Sequence, residues 1–347
     1  MRAFISQWIG KRIIKTGLAA LITAWICLSL HFPALFAVIT AIVSVEPTAV
    51  DSIKKALIRL PAAAIGAGFA MIFEAIFGEA ALTYALAATL TVFVCHRLRL
   101  DAGITVATLT AVAMIPETHG HYMDSYLIRL ATTLIGIAVA AIINYSVLPP
   151  NFYSKIVKSV PRLCGEAGIC LERILSGIES RKKPLSLPYE RLSKDLERTI
   201  RLMHFQRKEW KIHRRSLHKL RRFHRLEKGL NLLQRTAIHI GNLQYLNPSK
   251  LQLSQQEKEI VTETGTSIAR ALKHMEIQLP PEHHDKVNRL DELFHQWEEA
   301  DNHQTTRNSH HFSEKTALGY ELLTLHDMLE ELQKLLCYSE KERGNEA

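Results

Sequence analysis

Residues 126–148 read YLIRLATTLIGIAVAAIINYSVL, twenty-three residues of which only Arg129 is charged. A helix needs roughly 20 apolar residues to cross the hydrocarbon core of a bilayer. This stretch is long enough, and five further apolar segments precede it within the first 150 residues. The chain is therefore expected to be an all-α membrane protein.

Six apolar segments are marked by hydropathy in residues 1–150, which we treat as the transmembrane domain. They are approximately residues 13–30, 32–45, 61–77, 80–95, 101–115 and 126–148. The second, fourth and fifth are short for a full crossing. The first two together are too long for one span, however, and the sequence His31-Phe32-Pro33 supplies a break. The prediction is six transmembrane helices.

Basic residues occur in alternate connections between these segments. The connections at 31–33, 78–80 and 116–125 contain no Lys or Arg, and the basic residues of the other side are Arg2, Lys11, Arg12, Lys15, Lys54, Lys55, Arg59, Arg97 and Arg99. Cytoplasmic loops are enriched in Lys and Arg. The chain is therefore predicted to be a multi-pass protein of the cell membrane with both termini in the cytoplasm.

Residues 151–347 have a different composition, with 33 basic and 27 acidic residues against ten and seven in residues 1–150. Apolar residues recur there at helical spacing, as in Leu196, Ile200 and Met203. Such stripes are buried when helices pack as a bundle. Residues 151–347 are therefore predicted to form a cytoplasmic helical domain.

The two halves of the membrane region resemble each other at an offset of about 70 residues. Thr40-Ala41 corresponds to Thr110-Ala111, and Arg59 with Gly66 corresponds to Arg129 with Gly136. Three spans per copy make the second copy enter the membrane from the opposite side, which predicts a 3+3 inverted repeat. The alternative is that small residues coincide by chance in biased apolar sequence.

The middle segment of each copy is short, bears threonine and is followed by a proline. Paired short helices are the best sequence indication of a substrate site near the membrane midplane. The substrate-binding candidates on these segments are Thr40, Ser44, Thr105, Thr108 and Thr110. The alternative is that these hydroxyls bond to the backbone of their own helices.

Ionisable residues near membrane depth are costly and are functional candidates by default. Arg12, Lys15 and Arg129 are the cations available to bind an organic anion, and Glu74 and Asp101 are candidates for proton coupling. These residues lie near predicted helix ends. Interfacial solvation of the charged groups is therefore the alternative.

Three motifs resemble those of the aromatic acid exporter family, within the broader fusaric-acid-resistance-like group of membrane proteins. They are Arg12-x-x-Lys15-Thr16, Pro47-Thr48-x-x-x-Ser52 with Lys55 and Arg59, and Arg129-x-x-x-Thr133-x-x-Gly136 running to Asn144 and Pro149-Pro150. The resemblance covers most of residues 1–150, and a helical cytoplasmic domain is found in the Gram-positive branch. The resemblance to this family implies export of aromatic carboxylic acids. One departure is Ala62-Ala63, where relatives tend to carry Gly-Thr.

The sequence contains no GxxxxGK[ST] loop and no HExxH, nucleophile-elbow or paired-carboxylate motif. It therefore predicts a protein that is not an enzyme and that couples transport to an ion gradient or to a partner protein. The histidines at 283–284, 303 and 310–311 lack a fixed ligand spacing and are expected to be exposed. No metal and no cofactor are predicted.

Residues 198–228 hold twelve Lys/Arg against two Glu. The first interpretation is a solvated helix face paired with acidic neighbours, and the second is attraction to anionic membrane lipids. Nucleic acid is disfavoured because no recognition motif accompanies the charge. An alternative function follows: a non-transporting membrane scaffold or regulator whose basic helical domain binds anionic lipid or a protein partner. Whether the chain forms a homo-oligomer is left open.

Overall fold

The computed structural model describes residues 10–117, 122–147, 151–180, 187–212, 216–248, 250–275, 278–304 and 313–344. Within these ranges the regular secondary structure is helical, with twelve α-helices and two 3-10 turns. The all-α prediction is confirmed. The chain divides into two compact units, the first being Met1–Asn151 with Phe205–Arg214 and the second Phe152–His204 with Arg215–Ala347.

The first unit contains six apolar helices. They are α1 (Lys11–Ser29), α2 (Ala34–Ser44), α3 (Ala49–Phe77), α4 (Ala81–Arg97), α5 (Ile104–Met114) and α6 (Tyr122–Ser146), with 3-10 turns at Asp101–Gly103 and Ile115–Glu117. By length and composition, α1 from Arg12, α3 and α6 can each cross a membrane. The others are shorter apolar helices.

Helix α3 begins at Ala49, whereas the sequence analysis placed its start at Pro61. The Thr48 hydroxyl caps the helix by accepting a hydrogen bond from the Asp51 backbone N–H at 3.1 Å. Pro61 lies inside the helix, as membrane helices allow when neighbouring groups satisfy the freed backbone. The basic residues assigned to a connection are therefore helical: Lys54, Lys55 and Arg59.

Two glycines set the packing of the first unit. A Cβ added at Gly66 of α3 would overlap the carbonyl oxygen of Ala107 on α5, and one added at Gly136 of α6 would overlap that of Ala37 on α2. Only residues without a side chain allow helix backbones to approach so closely. Helix α3 also packs against α4 and α6, and α6 packs against α1.

The second unit is built from the remaining helices. They are α7 (Tyr153–Glu179), α8 (Leu187–Ile212) up to His204, α9 (Leu217–Tyr245), α10 (Gln255–His274), α11 (Pro281–Gln304) and α12 (Glu314–Gly344). The apolar stripe of α12 is buried along Leu318, Leu322, Leu325, Leu329 and Leu332. Helix α7 packs against α9 and α10, and α12 packs against α9 to α11. The last turns of α8, from Phe205, group with the first unit, although the sequence analysis assigned them to the C-terminal half.

Candidate functional site

Buried polar side chains of the first unit form two groups at opposite ends of α6. Arg129 lies in the second turn of this helix and Asn144 in its last turn. The intervening length of α-helix is about 22 Å, because each residue adds 1.5 Å. The two groups are therefore separate sites.

The side chain of Arg129 is held between three helices. The residue is 5% exposed, and its Nη2 atom lies 3.4 Å from Oγ1 of Thr110 on α5. Its guanidinium carbon lies 3.6 Å from the ring centre of Phe36 on α2. A cation over an aromatic face is attracted by the ring, more strongly where water is excluded. These contacts hold the guanidinium in one place.

Arg129 lines a cavity of about 350 Å³, which we call the Arg129 cavity. Its other lining residues are Pro33, Phe36, Met114, Pro116, Ser125, Ile128 and Thr132. Small-molecule sites combine apolar walls with a few fixed polar groups in roughly 300–1,000 Å³. The Thr132 hydroxyl donates to the Arg129 carbonyl at 3.0 Å, so the guanidinium and the Ser125 hydroxyl are the polar groups facing a ligand. The cavity suits a small molecule with an anionic group and an apolar body.

The group at the other end of α6 is centred on Asn144, and we call it the Asn144 network. Lys15 of α1 donates to Oδ1 of Asn144 at 2.8 Å and to its carbonyl oxygen at 3.2 Å. The Asn144 Nδ2 atom lies 2.7 Å from Oγ of Ser52 and 3.0 Å from the carbonyl oxygens of Glu46 and Thr48. The network therefore joins α1 and α6 to the beginning of α3.

The Glu46 carboxylate extends this network to two cations. It accepts from Nη2 of Arg59 at 2.8 Å and from Nζ of Lys55 at 2.9 Å. Arg59 also donates through Nε to the carbonyl oxygen of Ala102, at 3.3 Å. Buried charges are tolerated when they are paired and hydrogen-bonded. We interpret the Asn144 network as a structural clamp, because Asn144 binds Lys15, and Glu46 binds Arg59 and Lys55.

The end of α8 contributes two polar contacts to the first unit. The Glu209 side chain, in a residue 2% exposed, accepts a hydrogen bond from the Ala49 backbone N–H. Nζ of Lys208 lies 2.9 Å from Oδ1 of Asp51. A carboxylate at the N-terminus of a helix satisfies an orphan N–H group and complements the helix dipole. Lys208 and Glu209 therefore help to define where α3 begins.

The hydroxyl candidates of the sequence analysis are not gathered at one place. Thr110 contacts Arg129, while Ser44 is buried and its carbonyl oxygen accepts from the Ser52 hydroxyl at 3.3 Å. Thr40 is buried on α2. Thr108 donates to the carbonyl oxygen of Ile104 at 2.9 Å, the local use that was the alternative, and Thr105 is exposed.

The ionisable candidates are also separated. Lys15 belongs to the Asn144 network and Arg129 to its cavity, whereas Arg12 is exposed. Glu74 is half-buried on α3. Asp101 is exposed, and its Oδ1 atom lies 2.8 Å from Nδ1 of His96. The structure therefore brings together Arg129 and Thr110 among the predicted residues.

Phe36 is the main residue of the Arg129 cavity that sequence reasoning missed. An aromatic residue inside an apolar segment gives no signal that separates a site from a core. Its position one helical turn before Thr40 was the available clue, since residues four apart share a helix face. Glu46 and Glu209 were missed because the partners that bury them are distant in sequence.

A larger cavity, of about 730 Å³, lies in the second unit between α7 and α8. Its lining includes Glu166, Arg173 and Asp195, and Arg162 lies 2.8 Å from Asp195 and 3.3 Å from Glu166. These exposed ion pairs are typical of a solvated surface. The Arg129 cavity is the stronger candidate because its cation is buried among apolar residues.

The prediction that the histidines at 283–284 are exposed is wrong for the first of them. His283 is 1% exposed, and His284 is exposed. Burial of His283 arises from residues distant in sequence, Ser267 and His326, which lie 2.7 and 3.0 Å from its ring nitrogens. The side chains of His303, His310 and His311 lie outside the described residues.

The basic stretch 198–228 forms several ion pairs with acidic neighbours. Besides Lys208 with Asp51, Arg201 lies 3.4 Å from Glu197 and His224 lies 3.6 Å from Glu227. These pairs favour the first interpretation of the stretch, a helix face paired with acidic residues. Binding of lipid by this stretch stays a prediction.

Apolar helices, three of them long enough to span a bilayer, and a buried cation define an all-helical membrane protein. Residues 7–147 match the family described as aromatic acid exporter family member 1. The chain is 40% identical over 346 residues to a UPF0421 protein of Bacillus thuringiensis (strain Al Hakam), covering 97% of both chains. It is 37% identical to UPF0421 protein BH2644 of Halalkalibacterium halodurans (97% of this chain, 91% of the relative). For UPF0421 protein SH1063 of Staphylococcus haemolyticus the identity is 33%, covering 95% of this chain and 98% of the relative. The chain belongs to the aromatic acid exporter family, which confirms the resemblance of its motifs.

Proposed function

We propose that this protein exports small organic acids, aromatic carboxylates among them, and that the substrate carboxylate binds Arg129. The observation that carries the proposal is the Arg129 cavity, in which a buried guanidinium and apolar walls share about 350 Å³. Family membership supports the same substrate class.

The chemistry of the cavity matches the two parts of such a molecule. A guanidinium presents parallel N–H donors that match a carboxylate in a bidentate geometry. Phe36, Met114 and Ile128 offer apolar surface to a ring. A carboxylate that binds here exchanges hydration for charge-assisted hydrogen bonds, while the ring leaves water. Either part alone is expected to bind more weakly than the two together.

The packing of the first unit supports the 3+3 inverted repeat. Gly66 contacts Ala107 and Gly136 contacts Ala37. The two glycines are 70 residues apart and so are the two alanines, so each contact pairs a residue of one half with a residue of the other. The arginines follow the same rule: Arg59 contacts the turn that begins α5, and Arg129 contacts the first turns of α2. We propose that α1–α6 cross the membrane six times with cytoplasmic termini, and that the two halves rock about their contact to expose the cavity to either side.

Transport by purified protein in liposomes tests the proposal directly. Vesicles loaded with radiolabelled benzoate should release it under an imposed proton or sodium gradient, and release of the neutral isostere benzamide should not depend on the protein. The change Arg129→Gln should raise the KM for benzoate about 10- to 100-fold, the loss expected for hydrogen bonds to a charged group. The exposed Arg12→Gln change is the matched control and should leave transport unchanged.

Two results would oppose the proposal. Benzoate release unaltered by Arg129→Gln would remove the Arg129 cavity from the pathway. No protein-dependent flux of any aromatic acid tested would instead favour the scaffold or regulator. Truncation after Asn151 is a poor test of these alternatives, because it also removes Glu209 and Lys208 from the first unit.

A further inference from the structure

A cluster of histidines lies in the second unit, away from the groups used in the proposed transport function. It is formed by Ser267 of α10, His283 and His284 of α11, and His326 and Glu330 of α12. The ring centres of the three histidines lie 5.1 to 6.0 Å apart. Three imidazoles and a carboxylate so close together call for a chemical explanation beyond packing.

We propose that His284, His326 and Glu330 bind a divalent transition-metal ion such as Zn²⁺. One ligand atom from each of the three residues lies within 4.8 Å of the other two. The Nε2 atom of His326 is 3.5 Å from Oε1 of Glu330. In a tetrahedral zinc site with bonds near 2.0 Å, ligand atoms are about 3.3 Å apart.

The spacing of the ligands on their helices suits this role. His326 and Glu330 are four residues apart on α12, so they share one face of that helix. His284 reaches them from the first turn of α11. Two imidazole nitrogens and a carboxylate oxygen are ligands preferred by Zn²⁺ and neighbouring first-row ions, and the exposed side leaves a position for water.

The second nitrogen of His326 has a hydrogen-bond partner, as that of a metal-binding histidine usually does. Its Nδ1 lies 3.0 Å from Nε2 of His283, and Nδ1 of His283 lies 2.7 Å from the Ser267 hydroxyl. A metal on Nε2 of His326 would fix the donor of each hydrogen bond. Nδ1–H of His326 would then donate to Nε2 of His283, and Nδ1–H of His283 would donate to the Ser267 hydroxyl. Such outer partners fix the tautomer and the ring orientation of a ligating histidine.

The test is metal binding to the complete protein, purified in detergent and stripped with a chelator. Zn²⁺ alone is titrated by calorimetry, and Co²⁺ is used separately because its visible d–d bands report ligand geometry. We expect His284→Gln and Glu330→Gln each to abolish one bound Zn²⁺ per chain or to raise its Kd more than tenfold. Ser267→Ala, which removes an outer partner, should raise the Kd about 10-fold.

His295→Gln is the matched control, since this exposed histidine lies on the same helix with Asp291 and Glu298 within 3.8 Å. It should leave both stoichiometry and Kd unchanged. His284 is exposed and Glu330 partly so, and unchanged melting of the metal-free variants will show that they fold. Equal Zn²⁺ stoichiometry and Kd in the wild type, His284→Gln and Glu330→Gln would overturn the site, as would the absence of saturable binding to the wild type.

Discussion

Gly66 on α3 lies against the backbone of Ala107 on α5, so closely that a Cβ at position 66 would overlap the Ala107 carbonyl oxygen. Seventy residues later Gly136 lies against the backbone of Ala37, which precedes Ala107 by the same seventy residues. Each glycine belongs to a long helix and each alanine to a short one. The long helices α3 and α6 therefore support the short helices α5 and α2 in matching ways, as the proposed inverted repeat requires.

The first prediction concerns these two glycines. Gly66→Val and Gly136→Val should each destabilise the first unit, by about 1–3 kcal/mol, because the added atoms must displace a neighbouring backbone. Stability can be followed with a thiol-reactive dye in a protein whose Cys164, Cys170 and Cys337 are replaced by alanine. The dye then reports exposure of Cys27 and Cys95, which are buried in the first unit.

Gly68→Val is the control for this prediction. Apart from its chain neighbours and the backbone of its own helix, no heavy atom of the described residues lies within 4 Å of a Cβ added at Gly68. Its melting temperature should stay close to that of the parent protein. An equal loss of stability at positions 66 and 68 would mean that the valine side chain itself, and not the close contact, is the cause.

The second prediction separates two threonines that correspond in the proposed repeat. Thr110→Val should weaken benzoate binding by about 0.5–1.5 kcal/mol, since the lost hydroxyl lies 3.4 Å from Nη2 of Arg129. Thr40→Val should leave affinity unchanged, because neither the described contacts of Arg129 nor the described lining of the cavity include Thr40. Calorimetric titration of both variants decides the point. Equal losses of benzoate affinity in both variants would instead favour a substrate site between α2 and α5, as the sequence analysis predicted.

Each apolar segment that hydropathy marked coincides at least in part with one of the helices α1–α6, because an apolar stretch is a local property of sequence. Hydropathy misplaced the start of α3 because the groups that decide it are polar side chains, one near in sequence (Thr48) and one far (Glu209). Thr48 and Glu209 cap the helix, and Glu46 binds the cations that made its first turns resemble a loop. None of these pairings is visible in a hydropathy profile.

The candidate site was predictable only in part for the same reason. Arg129 stood out because a charge in an apolar segment is rare and costly. Phe36 did not, since it differs in no way from other apolar residues around it. His283 was predicted to be exposed because its neighbours in sequence are polar, whereas its burial depends on Ser267 and His326, on two other helices.

The third prediction is the orientation of the first unit in the membrane. Basic residues in alternate segments predict that position 79 faces outward and position 54 the cytoplasm. Glu79→Cys should react in intact cells with an impermeant maleimide, and Lys54→Cys should react only after the cells are permeabilised. Both positions are exposed. The reverse labelling pattern would invert the orientation and exclude cytoplasmic termini.

The fourth prediction is a pH dependence of stability from Glu257 in the second unit. Burial alone would raise the pKa of Glu257, but hydrogen bonds from the Ser254 backbone, Trp297 and Lys315 outweigh it and bring the pKa to about 2. The unfolded chain has a glutamate pKa near 4.3. Because the folded pKa is the lower one, this stabilisation is complete above about pH 4.3 and is lost as the pH falls towards 2.

The change Glu257→Gln should therefore lower stability at neutral pH and flatten its dependence on pH between about 2 and 4.3. Urea unfolding followed by Trp297 fluorescence, with the other three tryptophans replaced by phenylalanine, measures both. Glu259→Gln is the control, since Glu259 is exposed on the same helix. A parallel pH profile in wild type and Glu257→Gln would assign the acid sensitivity to other carboxylates.

The fifth prediction concerns Glu209, whose carboxylate accepts from the Ala49 backbone N–H at the beginning of α3. Glu209→Ala leaves that buried N–H without its acceptor and should destabilise the first unit by about 0.5–2 kcal/mol, as loss of a helix cap does. Glu209→Gln keeps an oxygen acceptor and loses the negative charge, so about 0.3–1 kcal/mol should be lost. Glu197→Ala is the matched control on the same helix, because its ion pair with Arg201 is exposed on both sides and contributes little.

The dye assay with Cys27 and Cys95 measures all three variants. If Glu209→Ala and the Glu197→Ala control have the same melting temperature, the Thr48–Asp51 cap alone determines that α3 begins at Ala49. In that case the contacts of Lys208 and Glu209 do not stabilise the first unit, and truncation after Asn151 becomes a usable test of transport.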